Sequence, residues 1–283
     1  MKITVIGAAN IDIKTKSKAV IIPGDSNPAD ISLTAGGVAR NISAMLTRYG
    51  AQVSLIAAVG NDPFGVLLRE NCKGLGINTD AWIIKSNAST GVYLAALEND
   101  GELYAAFNAT MAQESIRTAE IMKCKKTIKD ADLLILDLNL TEKIISLAIE
   151  MGDGNPVMVD AVSVAKVPRI KNFLEKIDIL KLNRIEAEQL TGITLDTKQR
   201  VRQACYSIVD SGVKRVFVTM GVAGVCAADE NSAIFVPALP VNVKDVTGAG
   251  DAFSAGIALN LNEDLRVQAE AGVTLAAEHL GGR

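Results

Sequence analysis

Short apolar runs at residues 3–6, 53–59, 133–136, 157–159, 177–180 and 216–219 alternate along the chain with stretches of helical period. Runs of that kind, with no polar residue at every second place, suit strands buried on both faces. The helical stretches fall at 38–49, 63–73, 141–151 and 184–190, and close on Gly50, Gly74, Gly152 and Gly192. A glycine there predicts a left-handed stop at the helix C-terminus. Strand, helix and strand repeated in this way predict an α/β protein with a mainly parallel sheet covered by helices.

Two stretches break the rhythm. Residues 11–34 alternate polar and apolar positions around Pro23, Gly24 and Pro28, and residues 91–108 read as two strands about Asn99-Asp100-Gly101, a strong hairpin turn. Each alternates as a strand with one buried face does, so together they predict a small antiparallel sheet standing off the core. Such a sheet can act as a lid over a cleft or as an extension that pairs two copies. The chain, 1–283, is then expected to form a single domain carrying these two lid segments.

Composition narrows the function without naming it. A chain of 283 residues buries roughly three quarters of its unfolded surface, so a full core is available. The net charge of -3 comes without any long Lys or Arg run, which argues against polymeric nucleic acid as a partner. No apolar run approaches the roughly 18 residues of a membrane span, and the N-terminus passes directly into a strand, so no membrane and no export signal are expected. Cys72, Cys124, Cys205 and Cys226 are widely spaced, as in a protein of the reducing cytoplasm with neither a zinc site nor a disulfide scaffold.

The densest chemistry lies in Lys244-Asp245-Val246-Thr247-Gly248-Ala249-Gly250-Asp251, followed by small and apolar residues. A glycine-rich turn opening a helix gathers unpaired N–H groups and the positive end of the helix dipole, which suits an anion. Asp251, at the start of that helix, can accept the proton of an attacking hydroxyl. An aspartate in that place can equally be a helix cap, and spacing alone does not choose between the two.

The stretch 245–251 closely resembles the C-terminal signature of the ribokinase-like (PfkB) carbohydrate kinases, and Ala35-Gly36-Gly37-Val38-Ala39-Arg40-Asn41 resembles their N-terminal double-glycine signature. Between them, Asn183-Arg184-Ile185-Glu186 is similar to the family's N-x-x-E motif and residues 219–224 to its nucleotide-binding strand and turn. The resemblance covers essentially the whole chain. It implies a three-layer α/β/α core with a β-sheet lid, and direct in-line phosphoryl transfer from ATP. Asp251 would be the base, and Gly248, Ala249 and Gly250 the anion hole. Asn183, Thr219, Gly221, Gly224, Thr247, Gly248 and Gly250 would bind the nucleotide, and Glu186 would place Mg²⁺ through water, although Glu186 alone reads as a solvated helix residue. Whether K⁺ assists is left open, and a homodimer through the lid is the family's usual assembly.

On the acceptor side the resemblance assigns Asn10, Asp12, Gly36, Gly37 and Asn41 to the sugar. The finer resemblance, carried by Asp25-Ser26-Asn27-Pro28, Gly36-Gly37-Val38-Ala39-Arg40-Asn41 and Val159-Asp160-Ala161-Val162-Ser163 with Lys166, is to the kinases that phosphorylate the 5′-hydroxyl of pseudouridine. A C-nucleoside has more N–H and C=O edges than a free pentose, and Ser26, Asn27, Asn139, Ser163 and Lys166 could meet them. Asp, Ser, Asn and Pro at 25–28 are also ordinary turn residues. A ribokinase or another nucleoside or sugar kinase is the neighbouring alternative. A dinucleotide oxidoreductase is excluded because Gly7-Ala8-Ala9-Asn10 lacks the three-glycine spacing. The closing run 279–283 follows soon after the helix bearing Asp251, which leaves a wall for adenine in doubt and makes His279 a surface residue.

Overall fold

The computed structural model describes residues 1–243 and 246–282. Lys244, Asp245 and Arg283 therefore lie outside the described residues, including the first two positions of the glycine-rich motif. The N-terminal half contributes strands β1 (Lys2–Ile6), β2 (Asn10–Ser17), β3 (Ala29–Gly36), β4 (Gln52–Ile56), β5 (Ala58–Gly60), β6 (Ile83–Lys85), β7 (Gly91–Leu97), β8 (Leu103–Ala109) and β9 (Leu133–Asp137). The rest contributes β10 (Val157–Asp160), β11 (Ile179–Asn183), β12 (Arg215–Thr219), β13 (Val225–Asp229) and β14 (Ala233–Val236). The longer helices of the first half are α1 (Val38–Arg48) and α2 (Pro63–Gly74); three short ones, α3 (Met111–Glu114), α4 (Thr118–Lys123) and α5 (Lys125–Lys129), lead into β9. After it come α6 (Glu142–Met151), α7 (Arg184–Thr191), α8 (Lys198–Asp210), α9 (Ala249–Leu259) and α10 (Leu265–Leu280).

Eight strands form the main sheet in the order β14-β13-β12-β11-β10-β9-β1-β4. All neighbours from β4 to β12 pair in parallel, and only β13 and β14 run antiparallel. Alternate residues of one strand feed two cores. Leu134 and Leu136 of β9 join Ile145, Ala148 and Val201 on one face, while Leu133 and Ile135 join Ile42, Leu46 and Phe253 on the other. That double burial is why the strands show no alternation in the sequence.

The lid is a four-stranded sheet, β3-β2-β7-β8, in which β2 and β7 pair in parallel and the two flanking pairs are antiparallel. Its register sorts the side chains into opposite faces. Ile13, Leu33, Leu94 and Phe107 lie in one cross-strand row, and Asp12, Thr34, Tyr93 and Asn108 in the next, on the other face. Leu33 is 48% and Phe107 66% exposed.

Four details differ from the sequence expectation. The lid is a mixed sheet rather than an antiparallel one, because β2 and β7 are not joined by a hairpin but by a long crossover and pair in parallel. The run 53–59 is two strands, because the chain leaves the main sheet at Ala57 and β5 pairs with β6; both pieces are buried, so hydrophobicity runs on through the break. The run 177–180 forms a strand only from Ile179, which continues to Asn183; the buried Lys181 interrupts the apolar signal within it. Gly50 and Gly192 adopt the left-handed conformation, but after α2 and α6 that place is taken by Gly76 and Gly154, two residues beyond the expected glycines.

Candidate active site

The loop before α9 reaches the helix through Gly248, whose φ of 80° is favourable only to glycine. A methyl group there would also meet the His279 ring, and one on Gly250 would lie 2.9 Å from Lys181 Nζ. The loop therefore closes over two side chains with no room for a third. Of its first-turn amides, Ala249 N–H donates to the Val246 carbonyl at 3.4 Å, and those of Gly250 and Asp251 have no carbonyl within the helix to serve them. Asp251 is the third residue of α9 and is 9% exposed. It is not a cap: its carboxylate accepts an N–H from Asn41 Nδ2 at 2.8 Å, from α1 on the far side of the chain. Burial raises its carboxyl to about 7, with the like charge of Asp160 adding to the rise, the Asn41 bond and Lys181 opposing it, and Asp137 adding further.

The glycine pair before α1 brings the acceptor side close. Gly37 has φ 98°, and a methyl group on it would fall 2.4 Å from the Ala8 carbonyl oxygen. A methyl group on Gly36 would fall 2.3 Å from an Asp12 oxygen, so that carboxylate rests over the glycine backbone. Asn10 Nδ2 donates to Asp12, whose carboxyl is raised mainly by burial. At the ends of β9 and β10, Lys166 Nζ donates to Asn139 Oδ1, and burial lowers the lysine. Ser163 is held next to them by a tight turn in which Ser163 N–H donates to the Ala161 carbonyl at 2.7 Å. The central residue, Val162, has φ 66°, and no other described residue except glycine has a positive φ. A β-branched residue in that region is strained, and such strain is retained where the surroundings impose it.

Ser26 and Asn27 are not brought to this cluster. They lie in the loop joining β2 to β3, beyond the Ser17↔Ala29 pair, whereas Asp12 pairs with Thr34 near the other end. At about 3.4 Å per residue the five steps from Asp12 to Ser17 span about 17 Å. Asn27 spends its amide on the loop, accepting from Ile22 N–H and donating to the Ile22 and Asp25 carbonyls. Those two residues follow the turn chemistry of their types.

Of the nucleotide candidates, Thr219, Gly221, Gly224 and Gly250 line an apolar cavity of about 180 Å³, whereas Asn183, Thr247 and Gly248 are not among its lining residues. Val273, Ala276, Ala277 and Leu280 of α10 line it too, so α10 supplies an apolar wall to this cavity. Gly224 cannot be replaced easily, since φ is 89° and a methyl group would lie 2.1 Å from the Val236 carbonyl oxygen. His279 is not a plain surface residue: it is half-buried, and its Nε2 lies 2.8 Å from the Thr247 carbonyl oxygen. Asn183 and Glu186 make a reciprocal cap at the start of α7, each accepting the other's backbone N–H. Glu186 is 2% exposed rather than solvated, and burial raises its carboxyl. Among the described residues no cluster of three or more His, Cys, Asp or Glu side chains stands ready for a metal ion. One oxygen of Glu186 is committed to Asn183, and a single remaining carboxylate oxygen suits a hydrated divalent cation carried mainly by phosphates.

Sequence reasoning missed a buried network beneath this site. Asp160 Oδ2 accepts from Ser254 Oγ at 2.7 Å and pairs with Lys181 Nζ at 3.1 Å, while Oδ1 accepts from Val162 N–H. Lys181 is held above the usual lysine range by Asp160, Glu186 and Asp251, against a burial effect that lowers it. Asp137 is the register partner of Asp160 on β9 and is fully buried. The signal available was a carboxylate closing each of two otherwise apolar strands, at the end where parallel sheets bind ligands.

First-turn amides beside a buried carboxylate raised by burial, at the carboxyl end of a parallel sheet and next to an apolar cleft, are an arrangement suited to phosphoryl transfer to a small molecule. Residues 1–281 match the pfkB family carbohydrate kinases, and the chain belongs to that family. It is thus an ATP-dependent sugar or nucleoside kinase. Similar proteins include the pseudouridine kinase of Escherichia coli, 34% identical over 90% of this chain and 82% of that protein. A ribokinase of Staphylococcus aureus is 26% identical over 93% of this chain and 86% of its own. The fold is that of Arabidopsis thaliana ribokinase solved with ribose and ATP, with a TM-score of 0.87 at 23% identity, covering 98% and 92% of the two chains. Among the described residues no helix is long and apolar enough to cross a membrane.

Proposed function

We propose that the protein transfers the γ-phosphoryl group of ATP to the 5′-hydroxyl of pseudouridine, giving pseudouridine 5′-phosphate and ADP. The observation that carries the transfer is the buried Asp251, held by Asn41 at the mouth of the α9 amide cradle. Asp251 takes the proton as the hydroxyl oxygen attacks phosphorus in line and the bond to the β-phosphate oxygen breaks. No phosphoenzyme forms. The amides of Gly248, Ala249 and Gly250 bear the charge that spreads over the equatorial oxygens. Asn183 and Glu186 would hold Mg²⁺ through water, and the ion supplies charge neutralisation of the ATP phosphates. Asn10, Asp12, Gly36 and Gly37 take the ribose hydroxyls under the polar face of the lid.

Pseudouridine is favoured over a free pentose by two supports: the likeness to a pseudouridine kinase, and the Asn139, Ser163 and Lys166 cluster, whose amide, hydroxyl and ammonium groups suit the edges of a uracil ring. The test is ADP release with Mg²⁺ and pseudouridine, uridine, ribose or adenosine, with the product identified by mass. Strong preference for pseudouridine over uridine supports the reading; preference for ribose retains the kinase and removes the base-recognition role of the cluster.

A second copy of the chain would cover Leu33 and Phe107, the exposed members of the apolar row on the lid face opposite Asp12, since exposed edges and apolar faces of small sheets seek cover. Sedimentation should give a dimer that Leu33→Asp with Phe107→Asp converts to monomer; a monomeric wild-type protein refutes the pairing.

A further inference from the structure

Asp137, whose charge adds to the rise of the Asp251 carboxyl, is wholly buried at the point where the acceptor side of the site is assembled. Three chain segments end on its carboxylate. Oδ2 accepts the backbone N–H of Ala8 at 2.8 Å and of Ala39 at 3.0 Å, and Oδ1 accepts that of Asn139 at 2.9 Å. Ala8 begins the turn that delivers Asn10 and Asp12 into β2. Ala39 is in the first turn of α1, whose N-cap is Gly37 with no side chain to cap it and no acidic residue in that turn. The carboxylate of β9 thus does for α1, from 98 residues away, what a capping Asp ordinarily does from within its own segment. Two turns of fit depend on this. A methyl group on Gly7 would lie 2.3 Å from the Asp137 carboxyl carbon, and one on Gly37 would strike the Ala8 carbonyl, so both glycines exist to let these segments meet at the carboxylate.

We infer that Asp137 is the positioning residue of the acceptor half-site, fixing the turn before Asn10 and Asp12, the start of the helix that carries Asn41, and the backbone of Asn139 relative to one another. It acts through those residues and touches no substrate. Burial raises its carboxyl while the three N–H bonds oppose that rise, as befits an acceptor stabilised by amides rather than by a cation. Lys166, whose own charge it favours, answers to it through Asn139. The nucleotide groove shares none of these three segments.

The inference rests on the acceptor assignment of Asn10, Asp12 and Asn41, and two measurements separate its failure from failure of that assignment. In Asp137→Asn the amide keeps the size of the carboxylate but turns one acceptor into a donor facing an N–H, a mismatch expected to raise the acceptor KM by at least about tenfold. The ATP KM should stay within about twofold, a split that general loosening of the fold does not produce. Gly7→Ala, which pushes on the same carboxylate from the other side, should reproduce it. Hydrogen exchange on the protein without substrates should show faster exchange in 8–12 and 38–45 of Asp137→Asn and unchanged exchange in 219–228. An equal acceptor KM together with wild-type exchange in 8–12 and 38–45, a parallel rise for both substrates, or exchange accelerated throughout the chain would each overturn the positioning role. Localised exchange with an unchanged acceptor KM would show that the three segments are joined there but that they do not bind the acceptor.

Discussion

Asp251→Asn is expected to lower kcat by about a hundredfold to ten-thousandfold, the usual contribution of a positioned general base. ATP binding should remain, because the groove is lined by other residues and the α9 amides are backbone. The pH dependence gives the same residue a second test. Its folded carboxyl lies at about 7 against an ordinary 3.8, so kcat/KM of the wild-type enzyme should rise as pH increases through about 7 and then level off. Stability runs the other way. The folded state holds this proton more tightly than the unfolded state, so wild-type stability falls between about pH 4 and 7 as the buried carboxylate is forced to ionise. The asparagine variant escapes that loss and should melt above wild type at pH 8 by roughly 2 to 4 kcal/mol, with the gap closing at pH 4. Undiminished turnover would remove Asp251 from the mechanism, and equal melting at pH 8 would place its carboxyl in the ordinary range.

Lys181→Met should have the largest effect on folding. The lysine and Asp160 are 7% and 1% exposed, and their contact of 3.1 Å leaves Asp160 with only the Ser254 hydroxyl and the Val162 N–H once the cation is gone. Removing one partner of a buried pair costs about 3 to 5 kcal/mol, because the other charge stays buried without compensation. For a chain of this size that is roughly 5 to 8 °C in Tm. The variant also tests the electrostatics of the base. Lys181 is the cation that opposes the rise of Asp251, so its loss should move the acid limb of kcat/KM upward from about 7, whereas Ser254→Ala should leave the limb in place. An acid limb that stays put in Lys181→Met would show that Asp251 does not sense the pair.

Much of this site was legible before any coordinates. Asp251, Gly248 and Gly250 were marked by a glycine-rich turn opening a helix, a local pattern with a local physical meaning. Asp12 and the double glycine were marked in the same way, and the structure brings Asp12 onto Gly36 and Asn41 onto Asp251. What the sequence overreached on was equally local in kind. Ser26 and Asn27 have polar side chains suited to a nucleoside, but the register of β2 with β3 holds them at the far tip of the lid, where Asn27 bonds its own loop. Glu186 reads as a solvated helix residue and proves to be buried in a reciprocal cap. His279 reads as a terminal surface residue and proves to hold the carbonyl of Thr247.

Periodicity, glycine placement and the order of motifs by themselves determined the α/β class, the two stretches that form the second sheet, the glycine-rich loop that opens the helix of Asp251, and the kinase family. Those features are written in short windows, where side-chain period and backbone freedom report directly on burial and on turns. Only the tertiary structure decided that Asp137, Asp160 and Lys181 belong to the site, because their partners lie 21 to 129 residues away in the chain and meet them only through parallel pairing. A carboxylate at a strand end carries no mark in the sequence of what it will accept. Its role is set by which backbone amides and which cation the crossovers bring within about 3 Å, and by burial that makes those partners necessary.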